Sequence, residues 1–280
     1  MKSFARYSSH LVAAWFFLVL LSGARSALGA EPSGVPSPTP QNITAEADAP
    51  VSEHEWIHIE RYKPTYFLVG HPDAKVQLSF KVEIIKGANF YGAYSQLMIW
   101  DIFKESSPFR DLNYNPDFFY RISTGPARGY IYDIGVFEHE SDGLAGAESR
   151  GWNRSYFRVS KNYRFGESTV AGWSFKIWAA WYLEPTNPNL LNYRGLYEVQ
   201  LILSSFLAPL MDVDDVLFRL YPGGKSRVNP FEGGQELTLR GKVSSRRLLL
   251  PTAIQIFHGY AENLLDYSNE HWGVRVGLSF

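Results

Sequence analysis

From about residue 65 to its end the chain repeats one pattern: apolar and polar residues alternate with a period of two. In K-V-Q-L-S-F-K-V-E-I, the residues Val76, Leu78, Phe80, Val82 and Ile84 fall on one face, and Gln77, Ser79, Lys81 and Glu83 fall on the other. The pattern returns as Phe118, Tyr120 and Ile122 against Asp117, Arg121 and Ser123, and as Tyr197, Val199, Leu201 and Leu203 against Glu198 and Gln200. It closes the chain with Val274, Val276, Leu278 and Phe280 against Arg275, Gly277 and Ser279. Period two belongs to an extended strand, whose successive side chains point to opposite faces. About twelve such segments of roughly ten residues recur, the length a tilted strand needs to cross the hydrocarbon of a bilayer.

Alternation alone also fits a soluble sandwich with one wet face. Three features favour a membrane barrel: the segments are long, their polar faces carry charges of both signs, and an aromatic, Phe280, ends the last strand. Lipid leaves no backbone group unpaired only if the sheet closes on itself, which predicts an all-β, antiparallel up-and-down transmembrane β-barrel. Its polar face would line a plugged interior, with Lys81, Glu83, Arg121, Glu198, Arg219, Arg240 and Arg275 pairing with one another.

The N-terminus organises differently. Lys2 and Arg6 precede an apolar run from Leu11 to Leu21 and small residues at Ala27 to Ala30, the layout of a secretory signal peptide over residues 1–30. Residues 31–60 form a Pro-rich polar leader and 61–280 the barrel domain. Beyond the signal no apolar stretch is long enough for a helical span. A net charge of -1 offers no electrostatic footprint for nucleic acid, and the absence of Cys excludes a disulfide framework and any thiol nucleophile. His54-Glu55-Trp56-Ile57-His58 matches the H-E-x-x-H of zinc hydrolases, but Pro64 cuts short any helix and no third ligand stands nearby.

Chemistry concentrates in residues 137–153, F-E-H-E-S-D-G-L-A-G-A-E-S-R-G-W-N. His139 and Ser141 share one face of a strand, a base beside a nucleophile, and a serine hydroxyl needs such an imidazole to take its proton. The imidazole in turn needs a third group to fix its tautomer. Asn153, returning on the next strand after a Gly-rich loop, is the candidate. By parity Ile131, Gly135, Phe137, His139 and Ser141 face the lipid, as do Asn153, Ser155, Phe157 and Val159, and polar groups there read as functional. Asp133 shares the parity of His139, so either it lies at the far interface or a bulge resets the strand.

These residues carry a likeness. Y-S-Q at Tyr94 to Gln96, E-S-S-P-F-R-D-L-N-Y at Glu105 to Tyr114, H-x-S-x-G at His139 to Gly143, S-R-G-W-N-R at Ser149 to Arg154 and G-Y-A-E-N-L-L-D-Y at Gly259 to Tyr267 occur in order, and the chain resembles the outer membrane phospholipase A family of Gram-negative bacteria from about Arg61 to Phe280. The resemblance implies a twelve-stranded barrel in the outer membrane, active as a calcium-dependent homodimer, that hydrolyses acyl esters of phospholipids and lysophospholipids with A1 and A2 activity. It implies Ser141 as nucleophile, His139 as general base and Asn153 as orienting partner. Calcium ligands would be the carbonyl of Leu144, the hydroxyl of Ser149 and Ser106 from a second copy, with Gln96 at the interface between copies. Two positions depart from the family pattern: Glu138 replaces an Asn before the histidine, and Leu144 replaces an Arg after the motif glycine. The competing expectations are a non-enzymatic porin or scaffold barrel and a soluble secreted β-protein.

Overall fold

A computed structural model describes residues 58–165, 169–205, 213–245 and 248–280. The segments expected as signal peptide and most of the leader, with His54 and Glu55, lie outside the described residues. The strands are β1 (Ile59–Arg61), β2 (Tyr66–His71), β3 (Ala74–Ile85), β4 (Phe90–Trp100), β5 (Phe109–Ser123), β6 (Tyr130–Ser141), β7 (Gly151–Phe165), β8 (Thr169–Leu183), β9 (Tyr197–Ser204), β10 (Val213–Gly223), β11 (Asn229–Ser245), β12 (Leu248–Gly259) and β13 (His271–Ser279). From β2 onward each pairs antiparallel with its sequence neighbours, and β13 pairs with β2, which closes the sheet.

β1 and β2 lie along the same edge of β3, Ile59 opposite Val82 and Tyr66 opposite Gln77. They are one interrupted strand, so the thirteen segments fill twelve positions of a closed antiparallel barrel. Among the described residues pairing begins at Ile59, opposite Val82. The interruption, residues 62–65, includes Pro64, which has no N–H for a ladder. Here the chain turns inward. The Tyr62 ring stacks on Phe119 at 5.6 Å and its hydroxyl donates to Asp117 at 2.5 Å.

Inward positions are polar and paired. Lys75 donates to Glu236 at 2.6 Å and to Glu262 at 3.0 Å, and Arg275 reaches Asp73 at 2.7 Å and Glu262 at 2.8 Å. Arg121 and Arg158 share Asp133. The expected interior residues are thus paired, but mostly with partners outside the set named from sequence: Lys81 with Glu60 and Arg240 with Asp215, while Glu83 accepts the Asn89 N–H. Within that set Arg219 meets Glu198, at 3.8 Å. Outward positions such as Ile134, Val136, Phe157, Ile177, Leu201, Val274 and Val276 are exposed apolar side chains, the surface a lipid solvent requires.

The two ends differ. One carries the longer connections 101–108, 142–150, 184–196 and 260–270, and the other carries the short turns 86–89 and 124–129. In outer-membrane barrels long loops face outward from the cell and short turns the periplasm.

Candidate active site

The site forms where β6 and β7 reach the long-loop end. Register places His139 opposite Asn153 and Ser141 opposite Gly151. One imidazole bridges the other two groups: Nδ1–H donates to Asn153 Oδ1 at 2.6 Å, and the lone pair of Nε2 accepts from the Ser141 hydroxyl at 2.9 Å. All three side chains are half-buried. Their environment on the outward face is aromatic, with Phe137 stacked on His139 at 6.3 Å and packed against Trp181 at 6.0 Å.

The puzzle of Asp133 has a structural answer. The ladder between β5 and β6 pairs Phe118 with Phe137 and Phe119 with Gly135, leaving Val136 as an extra residue, and the β6–β7 register shifts at the same place. This is a β-bulge, which inserts one residue into one strand and resets its alternation. Below it Asp133 and Gly135 point inward; above it Glu138 and Glu140 point inward and His139 and Ser141 outward. The expectation that Ile131 and Gly135 share the lipid-facing side with His139 is therefore corrected, since both have the parity of Asp133 below the bulge. The inward position explains the glycine: a Cβ on Gly135 would stand 2.1 Å from the Tyr156 ring, which lies across it inside the barrel.

Glu138 is fully buried and accepts from Arg154 Nε at 2.5 Å and from Lys176 Nζ at 2.7 Å. The residue that departs from the family pattern thus sits directly behind the His139–Asn153 pair, on the opposite parity, in a neutralised ion cluster. It does not touch the site from the lipid side.

The loop 142–150 joins β6 to β7 beside the site. Gly143 takes a left-handed φ of 69°, and a side chain there would meet the Tyr114 ring at 2.9 Å. Asp142 ties the loop together: its Oδ1 accepts the backbone N–H groups of Leu144 and Arg150, each at 3.0 Å. Its Oδ2 is buried without a hydrogen-bond partner among the described residues. Leu144 is exposed and Ser149 half-buried in this loop, while Ser106 stands exposed with φ 61° in the separate loop 101–108. Among the described residues no cluster of three His, Cys, Asp or Glu side chains could hold a metal, so any cation here would rely on carbonyl, hydroxyl and single carboxylate oxygens. A hard divalent cation takes such oxygens. Gln96 lies in line with the site: the ladders run Gln96 to Tyr114, Tyr114 to Ser141 and Ser141 to Gly151.

Sequence reasoning did not single out Gly151 or Asp142. A Cβ on Gly151 would lie 3.4 Å from that of Ser141, so the glycine leaves the approach to the hydroxyl open. The signal available was small: a glycine ending the loop just before W-N, and an acid next to the serine.

Comparison with known proteins agrees with this fold. A model of the phospholipase A1 family matches residues 42–280. The chain is similar to a putative phospholipase A1 of Neisseria meningitidis, 28% identical over 224 residues, and spans 74% of its own length but only 54% of that relative. Phospholipase A1 of Salmonella typhimurium is 29% identical over 219 residues, covering 74% of this chain and 68% of the relative. Among solved structures, the outer membrane phospholipase dimer of Salmonella typhi with bound calcium superposes with a TM-score of 0.64 at 24% identity, covering 81% of this chain and 94% of that one. Outer membrane phospholipase A from Escherichia coli gives 0.63 at 24%, covering 84% and 94%. With the family match running through every strand of the closed barrel, the chain belongs to the phospholipase A1 family, the outer-membrane phospholipase A barrels of Gram-negative bacteria.

Proposed function

We propose that this barrel is a calcium-dependent phospholipase A, cleaving acyl esters of membrane phospholipids and lysophospholipids by a serine–histidine–asparagine relay on its lipid-facing surface, as a homodimer. The observation that carries the reading is the bridging imidazole, within hydrogen-bond reach of Ser141 on one side and Asn153 on the other. In the proposed mechanism Ser141 Oγ attacks the acyl carbonyl while His139 Nε2 takes its proton, and the imidazolium then protonates the departing alcohol oxygen. A water, deprotonated by the same nitrogen, releases the fatty acid and restores the hydroxyl. Asn153 holds the Nδ1 tautomer without adding a second charge at a site that meets lipid.

Calcium would be held by the Leu144 carbonyl and Ser149 hydroxyl, with Ser106 of the partner subunit, and would supply electrostatic stabilisation for the charge developing on the carbonyl oxygen. The unpartnered Asp142 oxygen beside these positions supports a cation in this loop. The Salmonella typhi relative is described as a dimer with bound calcium. A lumen filled with ion pairs argues against the alternative of a conducting porin. We assign residues 1–30 to a cleaved signal peptide and the following Pro-rich stretch to a leader.

The test is fatty-acid release from mixed phospholipid–detergent micelles. Ser141→Ala should abolish release while the barrel keeps its heat-dependent gel mobility, and a chelator should stop turnover of the unaltered chain. Release undiminished in the Ser141 variant would end the assignment; turnover insensitive to chelator would end the calcium part.

A further inference from the structure

The ladder between β5 and β6 has a gap directly beside the bridging histidine. Register runs from Tyr114 opposite Ser141 to Asp117 opposite Glu138 with no shift between them, which sets Pro116 opposite His139. Proline has no N–H, so β5 cannot give a main-chain donor to His139 at that point. A strand carbonyl left without its ladder partner needs another donor.

The donor present is a side chain. Asn115, 5% exposed, donates from Nδ2 to the His139 carbonyl oxygen at 2.6 Å. Its own amide oxygen accepts from Lys63 Nζ at 2.7 Å. Lys63 comes from the interruption between β1 and β2, where the chain turns into the lumen, and is anchored by its backbone N–H to Ser79 Oγ at 3.0 Å. A chain of three residues therefore runs from the broken first strand through the barrel interior to the backbone of the histidine.

We propose that Asn115, oriented by Lys63, is a positioning residue for the His139–Ser141–Asn153 relay: it replaces from inside the barrel the main-chain bond that Pro116 cannot make, and so fixes the height of the imidazole over Ser141. It touches neither substrate nor reacting atoms. The inference rests on the function proposed above. The physical reason it matters is geometric, since reacting groups tolerate displacements well under an ångström and the bond to the His139 carbonyl fixes the backbone that carries the ring.

The decisive experiment restores the missing donor. In detergent-solubilised full-length protein, Asn115→Ala should lower kcat by about tenfold with KM little changed, the loss expected from freeing one buried carbonyl near the relay. The rate at which a fluorophosphonate labels Ser141 should fall in parallel. Asn115→Ala combined with Pro116→Ala, which returns a backbone N–H opposite His139, should recover most of both rates. Lys63→Met should give a smaller loss of the same kind. Heat-dependent gel mobility is measured on every variant so that a barrel that fails to form is not counted. Undiminished kcat and labelling in folded Asn115→Ala would overturn the inference, as would a loss that Pro116→Ala leaves uncorrected. Should folded Asn115→Ala itself be absent, Lys63→Met decides: wild-type labelling there also overturns it. Ser141→Ala separates the two levels, because activity surviving in that variant refutes the relay as a whole, whereas an inactive Ser141→Ala beside a fully active Asn115→Ala refutes only the positioning role.

Discussion

Removing the carboxylate of Glu138 provides the sharpest test of how the interior supports the outward face. The side chain is fully buried and is the hydrogen-bonding anion for two cations, Arg154 at 2.5 and 2.8 Å and Lys176 at 2.7 Å. In Glu138→Ala, Arg154 would keep Glu140 at 3.6 Å and the Trp152 ring at 3.7 Å, whereas Lys176 would keep only the face of Tyr156 at 3.8 Å among its contacts in this cluster. Breaking a buried pair by removing one partner destabilises by about 3–5 kcal/mol, because a charge is left in low dielectric. The Arg154 contacts place the expectation at the lower end, about 3 kcal/mol, and Glu138→Gln, which keeps one acceptor, should lose about half of that. The assay is urea unfolding of the refolded barrel in detergent, followed by tryptophan fluorescence, with Lys176→Met added to Glu138→Ala as a second variant that removes the stranded charge. Recovery of at least 1 kcal/mol in the double variant is expected. A Glu138→Ala barrel within about 0.5 kcal/mol of the parent would refute the argument that this ion cluster braces the strand pair.

Three further outcomes follow from the geometry. Asn153→Ala should reduce kcat by roughly 10- to 100-fold, the scale of one hydrogen bond to a group that becomes charged, and steady-state hydrolysis of a short-chain lecithin would measure it. Gly151→Val should impair access to Ser141 more than Gly151→Ala does, since only the branched methyls reach beyond the 3.4 Å separation; equal fluorophosphonate labelling of both would contradict the placement. Glu262, in the loop 260–270, is pushed up by burial but held well below the usual carboxylate value of 4.5 by Lys75, His271 and Arg275. Its stabilising contribution is thus fully present above that value and lost as pH falls from it down through the lowered value of the folded state, so acid unfolding of Glu262→Gln should depend less on pH than that of the parent.

Much of this molecule is legible in its sequence, and the reason is that lipid imposes a strict code. Alternation in segments such as 76–84 and 197–203 gave the strands and the closed sheet, because a bilayer permits no unpaired edge. His139, Ser141 and Asn153 were legible as a group because parity and one loop bring them together. The bulge at Val136 was not: it shows only in the register between β6 and its two neighbours, and the Tyr156 ring lying across Gly135 is a contact between strands that no local pattern announces. Nor was the interior pairing scheme, since Lys81 and Arg240 find partners on neighbouring strands that composition alone does not identify. Pro116 offered a visible clue, a proline within a strand, whose meaning emerges only from what stands opposite it.

The extra residue at Val136 makes β6 behave like a text with a reading frame. Upstream and downstream of it the same strand speaks to salt on one side and to acyl chains on the other, in opposite phase. Deleting Val136 alone would transpose the two messages over a whole half-strand, turning the imidazole toward the arginines and a pair of glutamates toward oil, although every residue of the proposed relay would still be present in the gene.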